Sequence, residues 1–196
     1  MTDAPPFARV AVVGLGLIGS SVVRAVQAAM PSVEVAGYDA DAGVRETARA
    51  IGLGAVADAS EEAVAGADLV MLCVPVGAMG AAAAAVAPSL AQQAVVSDVG
   101  SCKASVAEAL RAALPGAAIV PAHPVAGTER SGPEAGFASL FHRRWCIVTP
   151  LPDSPPPAVE RVVAFWRALG AEVEVMPPDH HDRALAVTSH SPHLIA

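Results

Sequence analysis

The stretch Val10-Ala11-Val12-Val13-Gly14-Leu15-Gly16-Leu17-Ile18-Gly19-Ser20 decides the fold. Four apolar residues run into three glycines spaced G-x-G-x-x-G, and Ser21-Val22-Val23-Arg24-Ala25-Val26 continues as a helix. The order is strand, tight turn, helix. Gly14 makes the turn, Gly16 lets a pyrophosphate approach the backbone, and Gly19 lets helix pack on strand. The phosphates would sit on unpaired N–H groups at the helix N-terminus, which brings Leu17 and Ile18 into the binding loop. Glycines also punctuate ordinary strand-to-helix turns, so the surroundings carry the assignment.

The next apolar run, residues 33–38, ends at Asp39, twenty residues beyond Gly19, where a dinucleotide fold places its ribose-binding acid. A carboxylate there accepts hydrogen bonds from both ribose hydroxyls and repels a 2′-phosphate, so NAD is expected rather than NADP. The plainer role for Asp39 is to cap a helix beginning near Asp41. Val74 and Pro75, ending the apolar run from Asp68, complete the expected cofactor set of Gly14, Gly16, Leu17, Ile18, Gly19 and Asp39.

A chain of 196 residues suits one domain of ordinary size. Its apolar content is 54% and its mean hydropathy +0.49, yet it has no charge-free apolar stretch of about twenty residues, and Met79 to Ala87 is too short to span a bilayer. Buried parallel strands account for the apolarity. The first six residues lack the basic and apolar regions of a secretory signal, so the cytoplasm is the expected location. Cys73, Cys102 and Cys146 are odd in number and widely spaced, as reduced thiols are. A net charge of −7 without a basic cluster argues against nucleic acid as a partner.

Along the chain, helix is expected from Asp41 to Ile51, strand over 55–57 and 68–74, helix from Gly77 to Ala87 and strand over 94–98. Ser101 is placed as the N-cap of a helix to Leu114, and 117–121 is the next strand. This alternation implies an α/β fold, Rossmann-like and doubly wound, with a mostly parallel sheet. Residues 122–144 break the rhythm as a long polar loop with no clear element of its own, of the kind that carries function. Strand 145–149, a helix from Pro155 to Leu169 and strand 171–175 follow. The nucleotide-binding domain is set at residues 1–176. From Pro177 a helix pattern runs through Asp182, Leu185, Ser189 and His193 and is still running at Ala196, as in the front part of a longer protein.

Three polar clusters accompany the glycine motif: Asp98-Val99-Gly100-Ser101-Cys102-Lys103, His123-Pro124-Val125-Ala126-Gly127-Thr128-Glu129 and Ser189-His190-Ser191-Pro192-His193. The first two follow strands, and ligands of an open parallel sheet bind at the carboxyl ends of strands. These loops should therefore line one crevice with the glycine turn. His123 is the candidate acid/base, since imidazole titrates near neutrality. Pro124 restrains it to an extended conformation. The pairs His180-His181 and His190/His193 raise the question of a metal, but no carboxylate or cysteine completes a ligand spacing, so no metal site is expected.

In this order the motifs resemble those of the prephenate/arogenate dehydrogenase family of tyrosine biosynthesis. The resemblance covers nearly the whole chain. It implies NAD-dependent oxidative decarboxylation of prephenate or arogenate, with His123 accepting the substrate's hydroxyl proton and Ser101 orienting that pair. Ser189 and His193 line the substrate pocket, and Thr128 and Glu129 shape its entrance. It also implies a C-terminal helical domain that forms a homodimer and supplies an arginine for a substrate carboxylate. That domain is missing after Ala196, so the 196 residues alone are expected to bind NAD but turn over poorly. Two alternatives stand beside this reading. A reductase of the β-hydroxyacid dehydrogenase type would show a catalytic lysine in a downstream helix, yet no lysine follows Lys103. A non-catalytic NAD-binding domain would not need Ser101, His123 and His193 to converge.

Overall fold

Val10 to Val13 are all buried because their strand is covered on both faces. Val10 and Val12 join one core, Ala11 and Val13 another, in a computed structural model that describes residues 4–186. Leu69 and Met71 against Val70 and Leu72 divide in the same way, which is why both strands read as continuous apolar runs. The strands are β1 (Arg9–Val13), β2 (Glu34–Tyr38), β3 (Ala55–Val56), β4 (Leu69–Leu72), β5 (Val95–Asp98) and β6 (Ala118–Ile119). They form one parallel sheet in the order β3-β2-β1-β4-β5-β6, the doubly wound arrangement.

Helices α1 (Leu17–Ala29), α2 (Ala42–Ala50), α3 (Ser60–Val64), α4 (Met79–Val86) and α5 (Lys103–Ala113) connect these strands. Asp41 caps α2, its carboxylate accepting from the amides of Gly43 and Val44, so the cap belongs to Asp41 and not to Asp39. Helix α4 starts two residues later than the sequence suggests, after a 3₁₀ turn over Val76–Ala78.

The register brings the site together. Val13 lies level with Tyr38 on one side and Leu72 on the other, and Leu72 level with Asp98. The turns after β1, β2, β4 and β5 therefore leave one edge of the sheet side by side.

Beyond β6 the chain departs from the expected single sheet. Pro121 has no N–H to extend the ladder, and the chain turns into β7 (Ala122–Pro124), which pairs antiparallel with β8 (Trp145–Val148). Parallel pairing of β8 with β9 (Glu172–Val175) completes a separate three-stranded sheet. His123 thus sits inside a strand opposite Ile147, not in a structureless loop. The rest of the 122–144 stretch packs on α1 through a 3₁₀ turn at Pro133–Ala135, where Phe137 donates its amide to the Ser21 hydroxyl. Helix α6 (Pro156–Ala168) buries Phe165 and Trp166 in the same core as α1. Helix α7 (Pro178–Leu185) lies against α5.

Candidate active site and nucleotide cleft

Each glycine of the first turn has a distinct surrounding. Gly14 holds φ +98°, and a Cβ on it would lie 2.4 Å from the Cys73 carbonyl oxygen. A Cβ on Gly19 would fall 1.8 Å from the Gly14 carbonyl oxygen, so only glycine lets α1 start this close to β1. Around Gly16 a Cβ would meet nothing within 4 Å. The third case is the informative one, because protein packing does not demand that glycine and a ligand's approach would. Gly16 also caps α1 without any side-chain hydrogen bond, leaving first-turn N–H groups for an anion.

A cleft of about 520 Å³ opens at this turn, lined by Gly14, Gly16, Asp39, Val74 and Pro75. Its far wall is Ala78, just before α4, with Ala81, Ala82 and Ala85 on one face of that helix, whose small side chains make room. Asp39 stands at the end of β2. Its carboxylate accepts from the amides of Leu15 (2.8 Å) and Asp41 (3.0 Å), which fixes it beside the turn with acceptor capacity remaining.

A buried polar cluster adjoins the cleft. Gly14 packs on Val74, Gly100 packs near Val76, and so the turns after β1, β4 and β5 touch in sequence. Within the last of these, Lys103 Nζ donates to Asp98 Oδ2 at 2.5 Å and to the Ala122 carbonyl at 2.7 Å, with both side chains fully buried. Asp98 Oδ2 also accepts the Gly100 amide. This ties β5, α5 and β7 together directly beside His123. His123 is buried, and its Nδ1 is 2.9 Å from His181 Nε2 on α7. His181 Nδ1 is in turn 2.7 Å from Asp182 Oδ1. Asp182 accepts the amides of Lys103 (2.8 Å) and Ala104 (2.9 Å), the first two residues of α5. Burial pushes the Asp182 carboxyl up, but those two amides and His181 outweigh it and hold the group below the usual carboxylate range. Burial, reinforced by the Asp98 charge, pushes the Cys73 thiol up, and burial does the same to Cys146 against the pull of Lys103. Neither sulfur is a thiolate near neutral pH, which leaves the imidazoles as the acid/base groups here.

The family model described as "Prephenate dehydrogenase, nucleotide-binding domain" matches residues 22–175. The chain belongs to the prephenate dehydrogenase family. It is 49% identical over 191 residues to a cyclohexadienyl dehydrogenase of Zymomonas mobilis, covering 97% of this chain and 65% of that one. Among solved structures it is similar to prephenate dehydrogenase of A. aeolicus in complex with hydroxyphenyl propionate and NAD+, with TM-score 0.88, 29% identity, and coverage of 95% and 66%. It is also similar to Synechocystis arogenate dehydrogenase, with TM-score 0.86, 26% identity, and coverage of 94% and 65%. The chain spans about two thirds of the length of these relatives.

Of the residues that the sequence singles out in this member of the family, Gly14, Gly16, Asp39, Val74 and Pro75 come together at the cleft. Gly19 is buried behind it, and Leu17 and Ile18 pack partly into the core under α1. Ser101 is exposed and does not cap α5, which begins at Lys103 and is capped by Asp182 instead. Among the described residues no hydrogen bond joins Ser101 to His123. Thr128 and Glu129 are exposed beyond β7. Ser189 and His193 lie outside the described residues. Among the described residues, neither His123 nor His181 lines the cleft. No group of three or more metal-ligating side chains occurs among the described residues.

Asp98 and Lys103 belong to the first polar cluster that the sequence places at the crevice, but with no role of their own, and His181 and Asp182 are not among the expected site residues. The adjacent pair His180-His181 drew notice only as a metal ligand candidate, and Asp182 only as a member of a helix face. The alanine face of α4 was legible as a run of small residues, but not as a wall.

Proposed function

We propose that this chain binds NAD and, in the whole protein, oxidises and decarboxylates prephenate or arogenate. The observation that carries the reading is His123, a buried imidazole held at Nδ1 by protein, on the strand beside the edge where the glycine turn opens. The uncapped start of α1 and the open space at Gly16 fit a pyrophosphate, and Asp39 fits a ribose without a 2′-phosphate. NAD, when bound, supplies the acceptor for a hydride.

His123 Nε2 takes the hydroxyl proton of the substrate as the carbon bearing that hydroxyl gives up its hydrogen with the electron pair. The carbon–carboxylate bond then breaks, its electrons entering the ring, and carbon dioxide leaves as the ring becomes aromatic. Ser101 is assigned to orient the hydroxyl toward His123, Ser189 and His193 to line the substrate pocket, and Thr128 and Glu129 to shape its entrance. The buried Lys103–Asp98 pair holds β7 in place from below. The full-length protein is read as a cytoplasmic homodimer acting on a diffusible small molecule, and the 196 residues alone as weakly active.

The test is the appearance of reduced nicotinamide when the polypeptide, as the cell makes it, receives prephenate or arogenate. Loss of a general base costs about 10²–10⁴-fold in turnover, so His123→Asn should fall by that factor while NAD affinity stays unchanged. Equal loss of both would overturn the assignment of His123, and no oxidation of either substrate would overturn the reading.

A further inference from the structure

Two residues outside the expected set decide which nitrogen of His123 can act as a base. Asp182 accepts three hydrogen bonds, from the Lys103 and Ala104 amides and from His181 Nδ1, and it faces the N-terminus of α5. An anion is favoured at that end of a helix. An ionised carboxylate can only accept, so the proton between it and His181 belongs to His181 Nδ1. A neutral imidazole carries one N–H. His181 Nε2 is therefore an acceptor, and the 2.9 Å contact to His123 requires His123 Nδ1 to be the donor. The lone pair of His123 then resides on Nε2. His181 is completely buried, and the two rings meet edge to face at 72°, a geometry that packing holds in place.

We infer that His181 and Asp182 are positioning residues that set His123 as its Nδ1–H tautomer, so that Nε2 is the nitrogen that takes the substrate's proton. The inference rests on the proposed function for its kinetic meaning, but not for the tautomer itself. Other ionisable neighbours do not supply the bias. Lys103 and Asp98 neutralise each other through a direct bond, and the Cys146 thiol, opposite Pro124 on β8, is held protonated. Asp182 alone contributes a net negative charge along this line of hydrogen bonds. When His123 Nε2 takes a proton, His181 Nε2 still accepts from Nδ1, so the imidazolium forms against a pre-set acceptor backed by a carboxylate.

The imidazole ¹⁵N shifts of His123, assigned by NMR in the 196-residue chain, test this without any turnover. Wild type should show the Nδ1–H form. His181→Leu removes the acceptor and should populate the Nε2–H form, while His181→Gln, whose side-chain oxygen can accept from Nδ1–H, should keep the wild-type form. In turnover assays His181→Leu should lower kcat by about 10–100-fold, the worth of one hydrogen bond to a charged group. The acid limb of its pH profile should move to lower pH, since the imidazolium loses support, and NAD affinity should stay unchanged. His181→Gln should recover much of the loss. A wild-type His123 found as the Nε2–H form overturns the inference, as does a His181→Leu enzyme whose acid limb does not move and whose defect His181→Gln fails to repair. If the Nδ1–H form is present but neither substrate is oxidised, the proposed function fails and the tautomer assignment stands.

Discussion

Lys103 is buried away from water, and it survives there because its amino group meets two acceptors, the oppositely charged Asp98 carboxylate and the Ala122 carbonyl. Its bond to the Ala122 carbonyl means that the residue preceding His123 is pinned by a side chain nineteen positions earlier. Lys103→Met removes the cation and leaves Asp98 buried beside one amide and with Oδ1 already unpartnered among the described residues. Breaking a buried pair from one side costs about 3–5 kcal/mol. Urea unfolding should show a loss of that size, and the double variant Lys103→Met/Asp98→Asn should recover part of it because the stranded charge is gone. A double variant no more stable than the single one would mean that the pair is not the source of the loss. Nothing local to residues 98–103 reveals this role, since the deciding acceptor is a backbone carbonyl on another sheet.

At the level of elements, the glycine turn and the start of α5 present opposite cases. The turn was legible because ten consecutive residues hold all its constraints: the strand, the positive φ of Gly14, the contact of Gly19 and the helix. The α5 cap was not, because its carboxylate comes from α7, and Ser101 has the right chemistry at nearly the right place. The turn also separates stability from binding. Gly14→Ala forces a side chain into φ +98° and against the Cys73 carbonyl, a strain of about 1–3 kcal/mol or more, visible as a lower unfolding midpoint. Gly16→Ala adds a methyl to open space at an ordinary φ of −68°, so its stability should stay within about 0.5 kcal/mol of wild type. NAD titration should nevertheless show weakened binding, because the methyl occupies the approach to the backbone. A Gly16→Ala chain that binds NAD like wild type would remove the pyrophosphate from this turn.

Across the whole molecule, alternation of apolar runs with helices was enough to foresee a doubly wound α/β fold, and Pro121 marks where that rhythm ends. What could not be foreseen was that strands 122–124, 145–148 and 172–175 form their own sheet, since pairing partners are set by packing against α1 and α6 rather than by local pattern. None of the described helices is long and apolar enough to cross a membrane. Asp182 joins the far end of the described chain to its middle, and the sign of its pH effect follows from its lowered pKa. Its stabilising share is complete above the ordinary carboxylate value of about 3.9 and fades as pH falls through the lower folded value. Between those limits Asp182→Ala should lose the wild type's drop in melting temperature, while at neutral pH it should melt lower than wild type. Parallel melting curves for the two proteins across the acid range would refute a role for this carboxylate in holding α7 to α5.

The same contact has a consequence in time. The amide of Lys103 waits for an acceptor 79 positions further along the chain. At about 5–20 residues per second, synthesis delivers Asp182 roughly 4–16 s after Lys103. The strands and helices that border the cleft, residues 13–86, are all present before that interval begins. The nascent chain can therefore shape its nucleotide pocket early, whereas the imidazole pair can form only after α7 has been made.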